Sequence, residues 1–337
     1  MGRTFTRPGD REEGTGGVTD SWERARSVLE TAGIPPGRLA HVGPLGGGTY
    51  NTVEELRLTD GGHYVLKVAP TVPGLSHETR LLSAEAEFCR GAALADVPAP
   101  RVVALDGQWL LMTVCPGDPW NGSPEPAEQA DLRRELGGQV ARLHRVTGPG
   151  FGYPSGAFGP LAPDWRTAFT AMFDALLADA RTYGAWLPRP ADEVAAVART
   201  AYDALDEVRV PRLVHFDLWP GNILVDRVGG TPRIGGLIDG ERMFWGDPLA
   251  DFVSLALLGD IRRDEPFLEG YRRPGGQAVF DRSARLRLAL YRAYLYLIMH
   301  IETVPRAYGA EHDRRLRETV APELLAALDE IESGGVS

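Results

Sequence analysis

The sequence predicts an α+β chain in two parts, a sheet-rich N-terminal third and a mainly helical remainder. Three observations carry this expectation. Between Leu39 and Val114, short apolar and β-branched runs alternate with Gly-, Asp- and Pro-containing turns, interrupted by one stretch of helical character. From Glu125 onward, apolar residues recur at helical spacing. Within that second part, Leu213 to Asp251 holds two short apolar runs that each end in an aspartate, Asp217 and Asp239.

The chain has 337 residues, a net charge of −10 and 43% hydrophobic residues, enough for two lobes with a core each. The acidic balance argues against nucleic acid, whose phosphates need clustered Lys and Arg, and suits a cationic small molecule. Cys89 and Cys115 are the only cysteines, too few for a disulfide framework or a zinc cluster. No apolar run reaches membrane-spanning length, and the N-terminus lacks a secretory apolar segment. A cytoplasmic protein is expected, a monomer or homodimer, with no nucleic-acid or membrane partner.

Residues 1–18 are polar and Gly-rich and are expected to be a disordered tail. Thr19, Asp20 and Ser21 then offer N-caps to a helix with Trp22, Ala25, Val28 and Leu29 on one face. Strands are expected over residues 39–45, 52–58 and 63–69, with Asp60-Gly61-Gly62 turning the last two. The first turn is Gly46-Gly47-Gly48-Thr49-Tyr50-Asn51. Glycines there, with Thr49, let the backbone approach a phosphate closely. Lys67 lies inside the third strand, where a lysine is usually solvated. A helix over 76–95 carries Glu78, Glu85 and Glu87, each able to pair with Lys67. Strands over 101–105 and 109–114 follow, and Cys115-Pro116-Gly117 opens a connector to residue 124.

The helical part starts with residues 130–146, bearing Leu132, Leu136, Val140 and Leu143 at helical spacing. His144 at its end reads as structural. Residues 148–163 form a Gly- and Pro-rich loop. Helices are expected over 164–183, 191–208, 249–258, 284–301 and 322–331.

The stretch Leu213 to Asp251 carries the chemistry. Asn222 follows Asp217 by five residues, and Asp239 follows a second strand. That is the spacing of a kinase catalytic loop and its metal-binding segment. One carboxylate orients a hydroxyl, while an Asn carbonyl and a second carboxylate hold divalent ions. His215-Phe216-Asp217-Leu218-Trp219-Pro220-Gly221-Asn222 resembles the His-Gly-Asp-x-x-x-x-Asn loop of the aminoglycoside phosphotransferase and fructosamine kinase group. Ile238-Asp239 is similar to that group's metal-binding segment, and Gly246-Asp247-Pro248-Leu249-Ala250-Asp251 to its Gly-Asp-Pro-x-x-Asp tail.

The resemblance implies a two-lobed protein-kinase-like fold. Residues 19–114 would form a nucleotide-binding N-lobe, a five-stranded antiparallel sheet plus a helix; 115–124 the hinge; and 125–337 a mainly helical C-lobe. It implies Mg2+ and ATP or GTP as co-substrate. Asp217 would be the catalytic base or orienter, His215 its brace, and Asn222 and Asp239 the metal ligands. Lys67 would steady the phosphates. Glu85 is preferred as its partner, because it lies fifteen positions before Pro100 in Val97-Pro98-Ala99-Pro100, as the group's helix Glu does. Gly47, Gly48 and Thr49 would cover the phosphates; Met112, Thr113 and Val114 would line the adenine slot, with the main chain of the last two binding the base. Asp251 would bond main-chain N–H groups of the catalytic loop. For the acceptor, the candidates are Asp164 and Trp165, where some members place substrate-contacting helices, and Glu241, His300 and Glu302.

Three departures matter. Phe216 stands where the group has Gly, so the turn before Asp217 is expected to avoid positive φ. Gly240 replaces the aromatic residue common after the metal-binding Asp. No activation segment follows Asp239, which disfavours a protein substrate. The first functional reading is a kinase for an antibiotic or aminoglycoside-type acceptor. The alternative is a metabolic ketosamine or amino-alcohol kinase, since Asp217-Leu218-Trp219 is similar to the fructosamine kinase loop. From another class comes a nucleotide-binding pseudokinase or scaffold, against which Lys67, Asp217, Asn222 and Asp239 together argue.

Overall fold

In the computed structural model, which describes residues 15–46, 51–71, 74–120 and 126–335, the N-terminal part is built on one antiparallel sheet. Its strands are β1 (Leu39–Pro44), β2 (Thr52–Leu58), β3 (His63–Val68), β4 (Val102–Leu105) and β5 (Trp109–Thr113), in spatial order β1-β2-β3-β5-β4. Each lies within one residue of its expected limits. Alternation along the strands gives the sheet two apolar faces. Leu56, Leu58, Leu66 and Leu111 meet Ala25, Val28 and Leu29 of helix α1 (Thr15–Thr31). Leu110 and Met112 point the other way and join α2 (Leu81–Leu94). Lys67 alternates with Leu66 and pairs in register with Leu110, so it emerges on the α2 face.

Two N-terminal expectations change. Helix α1 begins at Thr15, so the last residues of the expected disordered tail are helical; those before it lie outside the described residues. Helix α2 begins at Leu81 rather than near Ser76. The preceding segment is held by the helical lobe instead: Tyr183 donates its hydroxyl to the Gly74 carbonyl at 2.7 Å, and Ser76 donates its N–H to Asp179 at 2.8 Å.

After the short strand β6 (Asp118–Pro119) come helices α3 (Pro126–Leu143), α4 (Trp165–Tyr183) and α5 (Ala191–Arg199). Four short strands follow: β7 (Arg212–Val214), β8 (Ile223–Val228), β9 (Thr231–Leu237) and β10 (Phe244–Gly246). Helices α6 (Asp251–Leu255), α7 (Glu265–Arg272), α8 (Arg282–Ile301), α9 (Ala310–Thr319) and α10 (Ala321–Glu332) complete the described chain. The expected helix over 191–208 stops at Arg199, and a 3-10 turn covers Tyr202–Glu207. Helix α9 was not foreseen; Leu316 is its only buried residue, so it has no apolar stripe to read.

The core explains how the lobes meet. Leu82, Phe88 and Ala92 of α2 share one contiguous buried cluster with Phe169, Phe244, Tyr291 and Tyr294 of the helical lobe. Burying four large aromatic side chains of this kind contributes on the order of 2 kcal/mol each. The outer sheet face and α1 keep a separate small core. Helix α2 therefore belongs, by packing, to both lobes.

Candidate active site

Strand β7 delivers the catalytic loop, and β10 runs antiparallel beside it with Phe244 opposite Val214. The loop's shape is set by Asp251 at the start of α6. Its Oδ2 accepts the His215 N–H at 3.2 Å and its Oδ1 accepts the Phe216 N–H at 2.7 Å. His144 Nε2 lies 2.8 Å from the same Oδ2, and its Nδ1 lies 2.9 Å from the Tyr271 hydroxyl, so His144 is a buried brace.

Phe216 overturns an expectation. Its φ is +64°, in the left-handed region that the bulky side chain was expected to exclude. That conformation costs a non-glycine residue about 1–2 kcal/mol. Two things offset it. Asp251 fixes the N–H, and the ring is fully buried against Phe244 and Tyr294, with centroids at 5.1 and 5.7 Å. Asp239 also has a φ of +64°, so both chemical segments carry backbone strain of the kind that clusters at functional sites.

The loop's polar groups converge. Asn222 donates its Nδ2 to the Asp217 carbonyl at 2.9 Å and to Asp217 Oδ2 at 3.1 Å. Its Oδ1 makes no hydrogen bond among the described residues. Ile238 N–H donates to the Asn222 carbonyl at 3.0 Å, which sets the end of β9, and so Asp239, beside the loop. His215 Nε2 lies 2.9 Å from the Ile238 carbonyl, bracing the loop against the segment that carries Asp239. Burial raises the Asp217 pKa above the usual carboxylate value; Arg242 opposes this and Asp239 adds to it.

Lys67 reaches the same place from the sheet. Its Nζ lies 2.7 and 2.8 Å from the two oxygens of Glu85 and 2.5 Å from Asp239 Oδ1. Burial works against the ammonium, but Asp239, Glu85 and Glu241 hold its pKa well above the ordinary value. Burial raises Asp239 too, yet Lys67 wins and its pKa ends lowered; Glu85 ends raised, burial prevailing over Lys67. Of the other two candidate acids, Glu78 lies ahead of α2 and pairs with Arg306, and Glu87 on α2 accepts from Trp245 Nε1 at 2.9 Å.

Glu241 lies on this side of the cleft. Its carboxylate accepts a hydrogen bond from Asn51, and carboxylate oxygens of Glu85, Asp239 and Glu241 lie within 4.8 Å of one another. Burial, reinforced by Asp239, pushes its pKa up to about 8. These groups and the Asn222 side-chain Oδ1 are all hard oxygen donors, a set that fits a divalent cation such as Mg2+.

Other expected site residues are placed differently. Trp165 has no exposed surface, and its Nε1 donates to the Tyr291 hydroxyl at 2.7 Å; it is core, not acceptor surface. Asp164 is the N-cap of α4, accepting from Thr167 N–H at 2.8 Å and Oγ1 at 2.9 Å. His300 is buried beside Trp186, and burial, then Arg317, depresses its pKa to about 4. Glu302 sits between Arg242 at 2.6 Å and Arg306 at 3.1 Å. At the hinge, Met112 is buried, and the Thr113 N–H already donates to the Arg101 carbonyl at 2.9 Å, so it is not offered to a base. Val114 lies just past β5 and makes no backbone hydrogen bond among the described residues. Gly47, Gly48 and Thr49 lie outside the described residues.

The structure also brings in residues the sequence reading missed. Phe88, three residues after Glu85 on the same helix face, packs edge-on to His215 with centroids at 4.7 Å. A Cβ on Gly240 would stand 2.3 Å from the Phe88 ring, so the residue after Asp239 must be small. Helical spacing from Glu85 would have pointed to Phe88. Arg242 and Asn51 had no such signal.

A sheet lobe and a helical lobe that bring Lys67, Glu85 and Asp239 together beside Asp217 and Asn222 define a small-molecule kinase of protein-kinase-like fold. The chain matches the phosphotransferase enzyme family over residues 41–291 and belongs to it. It is 28% identical over 303 residues to a probable ketoamine kinase of Lactiplantibacillus plantarum, covering 85% of this chain and 97% of that one. Its fold is similar to that of a Thermobifida fusca protein described as a fructosamine-3-kinase, with a TM-score of 0.63, 22% identity and 91% and 99% of the two chains covered. It is also similar to a thermostable mutant of aminoglycoside phosphotransferase APH(4)-Ia in a ternary complex with ADP and hygromycin B, with a TM-score of 0.57, 19% identity and coverage of 93% and 99%. Among the described residues no helix is long and apolar enough to cross a membrane.

Proposed function

We propose that this phosphotransferase moves the γ-phosphoryl group of ATP to a hydroxyl of a ketoamine. The observation that carries the transfer is the convergence of Lys67 on Glu85 and Asp239 beside the Asp217–Asn222 pair. Asp217 orients the acceptor hydroxyl and takes its proton, with Asn222 fixing one carboxylate oxygen. Lys67, held by Glu85, binds the nucleotide phosphates. Asp239, the Asn222 side-chain Oδ1 and Glu241 would hold Mg2+, which when bound neutralises phosphate charge. Val114 would offer its main chain to the base.

Three things favour a ketoamine over an antibiotic. The curated relative above is named a probable ketoamine kinase, as is a second from Enterococcus faecium. The loop reads Asp217-Leu218-Trp219. The acidic residues expected to receive a polycation are engaged: Glu241 with Asn51, Glu302 with two arginines. The test is mass spectrometry of ketoamines, aminoglycosides and macrolides incubated with the protein and Mg-ATP. A gain of one phosphoryl group on a ketoamine, abolished by Asp217→Ala, is expected. Transfer to an aminoglycoside or macrolide with none to any ketoamine would overturn the reading.

A further inference from the structure

Arg242 is buried, yet its guanidinium is only partly satisfied. One terminal nitrogen, Nη2, donates to Glu302 at 2.6 Å. A guanidinium carries five N–H donors, and the remaining ones have no acceptor among the described residues. Glu302 is not Arg242's alone, for it also holds Arg306 at 3.1 Å, and Arg306 in turn pairs with Glu78. The ladder Arg242–Glu302–Arg306–Glu78 is neutral as a whole, with Arg242 at its open end.

The backbone carries Arg242 alongside the loop of Asp217. β10 pairs with β7 so that Phe244 lies opposite Val214, and the two chains leave the ladder side by side, one into Met243 and Arg242, the other into His215 to Asp217. Within the 3-10 turn that follows Asp239, Glu241 turns to Asn51 and Lys67's side, while Arg242 turns to the end of α8. Arg242 is also the strongest cationic influence on Asp217. A nine-tenths-buried guanidinium with donors still open to a partner gains much from an anion that completes it. Its planar fork fits a carboxylate.

We propose that Arg242 binds a carboxylate of the acceptor, so that the favoured ketoamine is one formed from an amino acid and keeps its acid group near the phosphorylated sugar. This rests on the ketoamine reading above. The probes are the glucose-derived ketoamine of glycine and that of ethanolamine, which differ in carboxylate against hydroxymethyl. The wild-type enzyme should prefer the glycine adduct in kcat/KM by about tenfold or more. Arg242→Gln should bring that ratio close to one, and Arg242→Lys, which keeps the charge and loses the fork, should leave an intermediate ratio. If Arg242→Gln fails to fold in a thermal melt, the Arg242→Lys ratio decides. Equal use of both adducts by the wild type, or an unchanged ratio in the variant that folds, overturns the inference while the ketoamine reading stands. Phosphorylation of neither adduct overturns the inference, and the ketoamine reading falls with it only where the wider screen above finds no ketoamine phosphorylated.

Discussion

The two sides of the cleft are built on different terms. On the nucleotide side, Lys67 is enclosed by Glu85 and Asp239, with distances of 2.5 to 2.8 Å, and Phe88 wedges the helix against the loop. On the side proposed for the acceptor, the acids Glu302 and Glu78 are matched by Arg242 and Arg306, and Arg242 keeps donors without an acceptor among the described residues. On the function proposed above, the first side would take the triphosphate and the second would select the acceptor by how its charges cancel. A formal charge of −10 said nothing of that local balance.

The largest expected effect tests whether the two sides meet at Asp217. Asp217→Ala should lower kcat by about a thousandfold, with KM for ATP little changed, in steady-state kinetics. An equal rise in KM for ATP would break the division of labour. Lys67→Met comes next. It should cost about a hundredfold in kcat/KM for ATP and, by leaving Glu85 buried without its cation, about 3 kcal/mol of stability in denaturant melts.

Phe216→Gly separates strain from packing at the loop. Glycine relieves about 1 kcal/mol of backbone strain but empties a buried aromatic site worth about 3–5. A net loss of about 3 kcal/mol is expected; a stabilised variant would show that strain dominates.

The smallest effect concerns His300, expected from sequence at the acceptor site and found buried elsewhere. Its folded pKa of about 4 is below the ordinary 6.5, so the unfolded chain binds its proton first as pH falls. Stability should be full above pH 6.5 and drop by about 3 kcal/mol on the way to pH 4. His300→Asn should flatten that slope, read by thermal melts across pH, and leave acceptor KM unchanged.

What the sequence made legible follows the same division. Strands β1 to β5 were readable because the turn residues between them are Gly, Asp and Pro, and because period-two alternation put Lys67 opposite Leu66. Lys67 and Glu85 were joined to the catalytic loop only through the resemblance to a known family, whereas Asp217, Asn222 and Asp239 were readable because short spacings on one loop and one strand end leave little freedom. Acceptor residues were not. Asp164 and Trp165 sit at a helix start, where capping and core packing claim such residues. Whether Glu302 is free depends on Arg242, sixty residues away. The positive φ of Phe216 was hidden for a like reason: it depends on Asp251, which sequence tied to the loop but not to that conformation.

Helix α2 has one further consequence. It is anchored ahead of its first turn by Tyr183, Asp179 and Arg306, and along its length by Phe88 and Glu87. A helix gripped in this way from both ends of its inner face carries Glu85 to Lys67 on contacts drawn from the helical lobe, so the ion pair of the sheet lobe depends on packing in the other lobe.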